Sequence, residues 1–146
     1  MRIVFLVLAT SGIRYIECLD FLKNYDITKF KIEKNYVSYN VSELRHTKTI
    51  NNIYLPLFVY NELKRVNNSY NALRERLKEK ECTFTFKYLR KWNYNFLLYN
   101  NIPESVADFI QGRSSKTISA THYLAKSQQA SFWYEKVSDI MKELFL

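Results

Sequence analysis

Phe30-Lys31-Ile32-Glu33-Lys34-Asn35-Tyr36-Val37-Ser38-Tyr39-Asn40-Val41 decides the fold class of this chain. Apolar and polar residues alternate through Phe30–Glu33, pause at Lys34-Asn35, and alternate again through Tyr36–Val41. A period of two on either side of a turn predicts two antiparallel strands. Ile53-Tyr54-Leu55, beyond a polar loop at Arg45 to Asn52, predicts a third. The rest reads as helix, so the expectation is an α+β, mainly α fold with a small three-stranded antiparallel sheet.

Toward the N-terminus, Ile3 to Ala9 predicts a fully buried helix. Met1-Arg2 before this apolar run also has the charge and composition of a short signal peptide. The run is too short to span a bilayer, and Thr10 to Glu17 reads as the end of a core helix. Thr10-Ser11-Gly12 is expected to break it, and a second helix to run from Arg14 to Lys23. Toward the C-terminus, Leu63 and Val66 predict that a helix continues after Pro56 until Asn67-Asn68-Ser69 punctuates it. Leu73 and Leu77 stand i to i+4 in a charged stretch, Arg74 to Glu81, that reads as a solvated helix face. Phe84 to Tyr99 is long and amphipathic. Asn100-Asn101 stops it, Pro103-Glu104 opens a short helix to Gln111, and Gly112 ends that one. Two more helical pieces are expected, Lys116 to Leu124 and Gln128 to Leu146. With no repeat or linker, residues 1–146 form one domain.

Apolar residues make up 47% of the chain, enough for a core, and two Gly and two Pro suit helices better than a turn-rich sandwich. Twenty-two Lys and Arg against 14 Asp and Glu give a net charge of +8. That suits a polyanionic partner, nucleic acid being the commonest, although charge alone leaves a lysine-rich soluble protein equally open. Cys18 and Cys82 have no partner spacing; they fit reduced thiols in a cytoplasmic protein and give no case for zinc. The sequence carries no phosphate-binding glycine loop, metal-ligand spacing or acidic cluster, so no metal and no small-molecule cofactor is expected.

Five short motifs follow one another in order. Thr10-Ser11-Gly12-Ile13-Arg14 is followed by Glu17 and Leu19. Lys48 stands eight residues before Pro56. Lys87-Tyr88-Leu89-Arg90 lies early in the long helix. Phe109-Ile110-Gln111-Gly112-Arg113 comes next, and Thr121-His122-Tyr123-Leu124 places a tyrosine ten residues after Arg113. This order resembles the catalytic domain of the tyrosine recombinases, the phage-type integrases. There a Thr-Gly-Leu-Arg box, a hairpin lysine, a His-x-x-Arg box, a Gly-His pair and a nucleophilic tyrosine follow one another. The chain departs from that pattern in having Ser11 inserted, Ile13 for Leu, Lys87 for the box histidine and Arg113 for the histidine after glycine. The last two departures are similar to integrases of archaeal spindle-shaped viruses (fuselloviruses).

The resemblance implies the recombinase catalytic fold, double-stranded DNA as partner, and site-specific cleavage and rejoining through a 3′-phosphotyrosyl intermediate in provirus integration or excision. It assigns Tyr123 as nucleophile, Arg14 and Arg90 as the main phosphate ligands with Arg113 assisting, Lys87 beside Arg90, and Lys48 as general acid. The chemistry agrees. A pentacoordinate phosphorus carries extra negative charge, and guanidinium offers a permanent charge and a planar fork of donors. Donors set in advance of the reaction stabilise such a transition state by about 2.7–4 kcal/mol each. An ordinary phenol is only about a thousandth ionised at neutral pH, so nearby cations help it attack. Lys87 and Arg90, three apart on a helix, share a face. A Lys-x-x-Arg on an arbitrary helix is a solvated basic pair, and Lys48 alone reads equally well as a hairpin lysine in solvent.

His122 adjoins Tyr123, but helical neighbours point about 100° apart, so it is expected outside the site; His46 reads as loop. Glu17 is expected to tie down Arg14 or the local backbone. Tyr134 is the rival nucleophile, and its apolar neighbours Phe132 and Trp133 favour a core or docking role. The apolar side chains of the last helix, from Phe132 to Phe145, imply self-association on DNA, as C-terminal segments of this family dock on a neighbouring protomer. The resemblance also implies that the family's N-terminal DNA-clamping domain is absent, as in an expressed fragment or an integrase gene split by integration. The alternatives are an inactive C-terminal integrase remnant that binds DNA or regulates the full enzyme, and an unrelated basic helical module that binds DNA or RNA.

Overall fold

The computed structural model describes residues 1–41, 52–113 and 120–146. Helix α1 (Arg2–Ser11) leads to α2 (Tyr15–Asn24), and a 3-10 turn at Ile27–Lys29 enters strand β1 (Phe30–Ile32). Strands β2 (Tyr36–Asn40) and β3 (Asn52–Pro56) complete the sheet. Helices α3 (Leu57–Asn61), α4 (Tyr70–Glu79), α5 (Phe86–Tyr99), α6 (Glu104–Ile110) and α7 (Ala120–Phe145) follow.

The sheet is antiparallel in the order β1-β2-β3. Phe30 pairs with Tyr39, and Tyr39 with Ile53, as the alternation requires. The period of two divides the side chains between two cores. Val37, Tyr39, Ile53 and Leu55 join the cluster around α1 and α2. Tyr36 and Tyr54 turn the other way, onto α6 and α7. Covered on both faces, central β2 and edge strand β3 are almost wholly buried.

Helix α1 is the axis of the molecule: Ile3, Val4 and Leu6 to Ser11 are buried, against α5, α2 and β3. Thr10 and Ser11 do not break it. Their hydroxyls donate to the Leu6 and Val7 carbonyls one turn back, at 2.7 and 2.6 Å, so both polar groups are satisfied inside the helix. Gly12 ends it in the left-handed conformation, φ 66°, its N–H donating to the Leu8 carbonyl.

Two other expectations are corrected. The helix after Pro56 stops at Asn61, and Leu63 and Val66 do not extend it. Their spacing reflects docking of an irregular strap, in which the Val66 N–H donates to the Leu22 carbonyl and Arg65 donates to the Lys23 and Tyr25 carbonyls, tying off the end of α2. The two C-terminal pieces are one helix from Ala120, because Ala125 to Gln129 is polar without containing a helix breaker; residues 116–119 lie outside the described residues. Ser69 caps α4, accepting from the Ala72 N–H, and α5 begins at Phe86 rather than Phe84. Among the described residues no helix is long and apolar enough to cross a membrane.

Candidate active site

Arg14 is the N-cap of α2. Buried Glu17 closes the turn beneath it: one carboxylate oxygen accepts from the Arg14 N–H at 2.8 Å, the other from its guanidinium at 2.9 Å. Only the Glu17 half of a capping box is made, since a guanidinium has no acceptor to offer the N3 N–H, and it gives Glu17 the structural role expected of it.

Arg90 comes from the buried side of α5. Its Nη1 donates to two carbonyls, Gly12 at 2.6 Å and Gln111 at 2.9 Å. Both acceptors are backbone at the ends of helices, so the guanidinium is fixed by the turn after α1 and the turn after α6 together. Arg113 follows α6. Its Nε donates to Gln111 Oε1 at 2.8 Å, and its guanidinium lies 4.8 Å from the centre of the Tyr94 ring. Three guanidiniums thus gather where three helix ends meet. Burial, then the charges of Arg113 and Arg14, push the Arg90 guanidinium down to about 10, with Glu17 opposing. Even so it stays protonated at neutral pH, a partly desolvated cation beside two others, and an anion bound there would relieve the repulsion.

Behind the arginines lies a polar network not anticipated from sequence. Asn93, wholly buried on α5, donates to the Ala9 and Thr10 carbonyls at 2.8 and 3.2 Å. Gln111 Nε2 donates to Asn93 Oδ1 at 2.6 Å and to the Arg90 carbonyl at 3.0 Å. A signal was present: the buried stripe of α5 reads Phe86, Leu89, Asn93, Leu97, with one amide among apolar residues. Buried amides in such a stripe need specific partners. Gly12 completes the arrangement, since a Cβ there would lie 2.3 Å from both Asn93 Oδ1 and Gln111 Nε2.

Lys87, exposed one turn before Arg90, lines with Arg14 and Arg90 the wall of a cavity of about 700 Å3. Tyr123, half-buried near the start of α7, packs its ring against Phe109, 5.6 Å between centroids, and accepts a hydrogen bond from Asn52 Nδ2 at 3.0 Å. Among the described residues it has no hydrogen bond to any of the three arginines. The arrangement therefore brings Arg14, Arg90, Arg113 and Lys87 into one neighbourhood and sets Tyr123 beside α6 and the first residue of β3. Lys48 and His46 lie outside the described residues. His122 is exposed.

Tyr134, the rival nucleophile, is wholly buried. Its hydroxyl sits 2.9 Å from the Thr10 carbonyl and 3.0 Å from that of Tyr54, and burial pushes its ionisation well above that of an ordinary phenol. It is a core residue that joins α7 to α1 and β3.

Among protein-family models, that of the archaeal phage integrases matches residues 1–140. No curated protein matches the chain.

Proposed function

Because the chain belongs to the archaeal phage integrase family, we propose that it is the catalytic domain of a tyrosine recombinase, which cleaves and rejoins double-stranded DNA at a specific site. The observation that carries this reading is the held cluster of Arg14, Arg90 and Arg113, with Arg90 locked between the Gly12 and Gln111 carbonyls. Such a cluster has its donors in place before substrate arrives, so no reorganisation opposes charge stabilisation at phosphorus.

In this mechanism the Tyr123 hydroxyl oxygen attacks the scissile phosphorus and forms a 3′-phosphotyrosyl bond. The bond from phosphorus to the 5′-oxygen breaks, and Lys48 gives that oxygen its proton. The phenol proton passes to a base or a phosphate oxygen. Arg14 and Arg90 hold the non-bridging oxygens, Arg113 assists beside the nucleophile, and Lys87 adds charge from the face of α5 that it shares with Arg90. Attack by a 5′-hydroxyl reverses the step and joins the strands. The phosphodiester energy is kept in the intermediate, so the chemistry requires neither ATP nor a cofactor. A protein of the archaeal spindle-shaped virus type would use it for provirus integration or excision in the host cytoplasm.

The test is covalent trapping on a nicked suicide duplex carrying candidate attachment sequence. A protein–DNA adduct on a denaturing gel that vanishes with Tyr123→Phe and with Arg90→Ala is the expected result. An adduct that survives Tyr123→Phe would move the nucleophile elsewhere, and DNA binding without any adduct would favour an inactive remnant.

Helix α7 supports a second part of the proposal, self-association on DNA. Phe132, Ile140 and Leu144 are 56%, 41% and 55% exposed, whereas Tyr134, Val137 and Met141 of the same helix are buried. Three large apolar side chains in water on one helix suit a second copy of the chain. Light scattering should show a larger species with DNA; a monomer with and without DNA would defeat the idea.

A further inference from the structure

The cavity beside Arg14 and Arg90 is larger than a phosphate clamp needs, and most of its wall is not charged. At about 700 Å3 it is in the size range of small-molecule sites. On one side, Tyr15 stacks on Phe86, 4.4 Å between centroids and 20° between planes, and meets Tyr70 at 4.8 Å. The Tyr15 hydroxyl donates to the Tyr70 carbonyl at 2.9 Å, which ties α2 to α4 and holds the ring ladder in place. Tyr70 and Phe84, also on the wall, are 45% and 37% exposed.

Charge on the wall is of one sign. Besides Arg14, Arg90 and Lys87 it carries Arg74 and Lys78, and no carboxylate residue lines it among the described residues. Arg74 lies over the Tyr70 ring at 5.4 Å, and Lys78 is paired with Glu75, which stands outside the cavity. Flat aromatic faces inside five basic residues complement a group that is itself an aromatic plane attached to a phosphate: a nucleotide. A duplex with every base stacked presents its phosphates but no free ring. An unstacked nucleotide presents both.

We propose that this cavity takes a nucleobase unstacked from the DNA next to the phosphate held by Arg14 and Arg90, seating it against Tyr70 and Phe84. The proposal rests on the DNA-recombinase reading of the arginine cluster and extends it: the site would prefer DNA that can extrude a base beside the cleaved phosphate. Tyr15 and Phe86 act as the rigid backing of the wall, while Tyr70 and Phe84 make the contact.

The test compares three short duplexes at fixed salt: fully paired, carrying one unpaired bulged nucleotide, and carrying an abasic bulge at the same place. Fixed salt keeps the phosphate contribution constant. The bulged duplex should bind about five- to a hundred-fold more tightly than the other two. Tyr70→Ala and Phe84→Ala, at exposed positions, should remove most of that preference and leave affinity for the paired duplex within about two-fold, as stacking and phosphate contacts are separate contributions. Equal binding of the bulged and abasic duplexes would overturn the proposal while leaving the DNA reading intact, as would a preference that survives the double substitution. Failure to bind any of the three would overturn both.

Discussion

Arg90 and Gln111 hydrogen-bond to each other in both directions, Arg90 Nη1 to the Gln111 carbonyl at 2.9 Å and Gln111 Nε2 to the Arg90 carbonyl at 3.0 Å. The same side-chain amide accepts from Arg113, so one buried glutamine orients two of the three arginines. Gln111→Leu should leave the Arg113 Nε and Asn93 Oδ1 without this partner, at a cost of about 1–3 kcal/mol in stability. Strand cleavage should fall by more than about 100-fold, since small displacements of positioned groups are costly to rate. Ile102→Ala, a core change away from the arginines, is the control: it should lower the melting temperature and leave cleavage nearly unchanged below it. Equal loss of cleavage in both variants would reduce Gln111 to a packing residue.

Gly12 is irreplaceable for two reasons that add. At φ 66° any Cβ costs about 1–2 kcal/mol, and here it would also be driven into Asn93 and Gln111. Overpacking of a close-packed site costs about 1–3 kcal/mol more. Gly12→Ala should therefore destabilise by roughly 2–5 kcal/mol in urea unfolding. A loss of no more than the conformational share would mean that the amides can move aside, and the network would be softer than its distances imply.

The strands were legible because each buries one alternating face on each core, and a period of two is a local signal. The arginines were singled out only by the order of motifs; no local property of Arg113 distinguishes it from Arg65, which straps a loop to the end of α2. What sequence reading missed has a common physical cause. Leu63 and Val66 are apolar at helical spacing yet dock on the core as an irregular segment, its hydrogen bonds supplied by α2, a partner some 40 residues earlier. Asn93 and Gln111 matter because α5 and α6 bring them together across 18 residues. Such tertiary pairings leave no trace in a window of a few residues. Glu17 was readable because its partner is three residues away.

The electrostatics of the arginine cluster predict a response to anions. The folded pKa of Arg90 lies below that of an unfolded arginine, so the charged side chain costs stability at neutral pH, and deprotonation would recover it only as pH climbs through about 10. Within the ordinary range an anion must do this instead. Inorganic phosphate should raise the melting temperature, with a gain approaching about 2.7 kcal/mol at a hundred times its dissociation constant. Arg90→Met should lose most of the gain. If the variant responds to phosphate as fully as the unmutated chain, the anion is bound somewhere other than the cluster.

Tyr134 and Tyr123 should separate cleanly by variant. Tyr134 keeps its proton well above the pH at which an unfolded tyrosine loses it, so its contribution to stability is intact below about 10 and falls away as pH rises beyond that. Tyr134→Phe should lower stability by about 1 kcal/mol at neutral pH, for the hydroxyl shared by the Thr10 and Tyr54 carbonyls. It should also flatten the alkaline decline relative to the unmutated chain; comparing the two cancels the opposite drift of Arg90. Covalent attachment to DNA should persist in this variant and be absent in Tyr123→Phe, whose fold should be nearly unchanged because Tyr123 is only half-buried and its hydroxyl meets only Asn52 among the described residues. A denaturing gel beside a pH series of urea titrations reads all of this. An adduct lost with Tyr134→Phe at full stability would mean that the buried hydroxyl does chemistry after all.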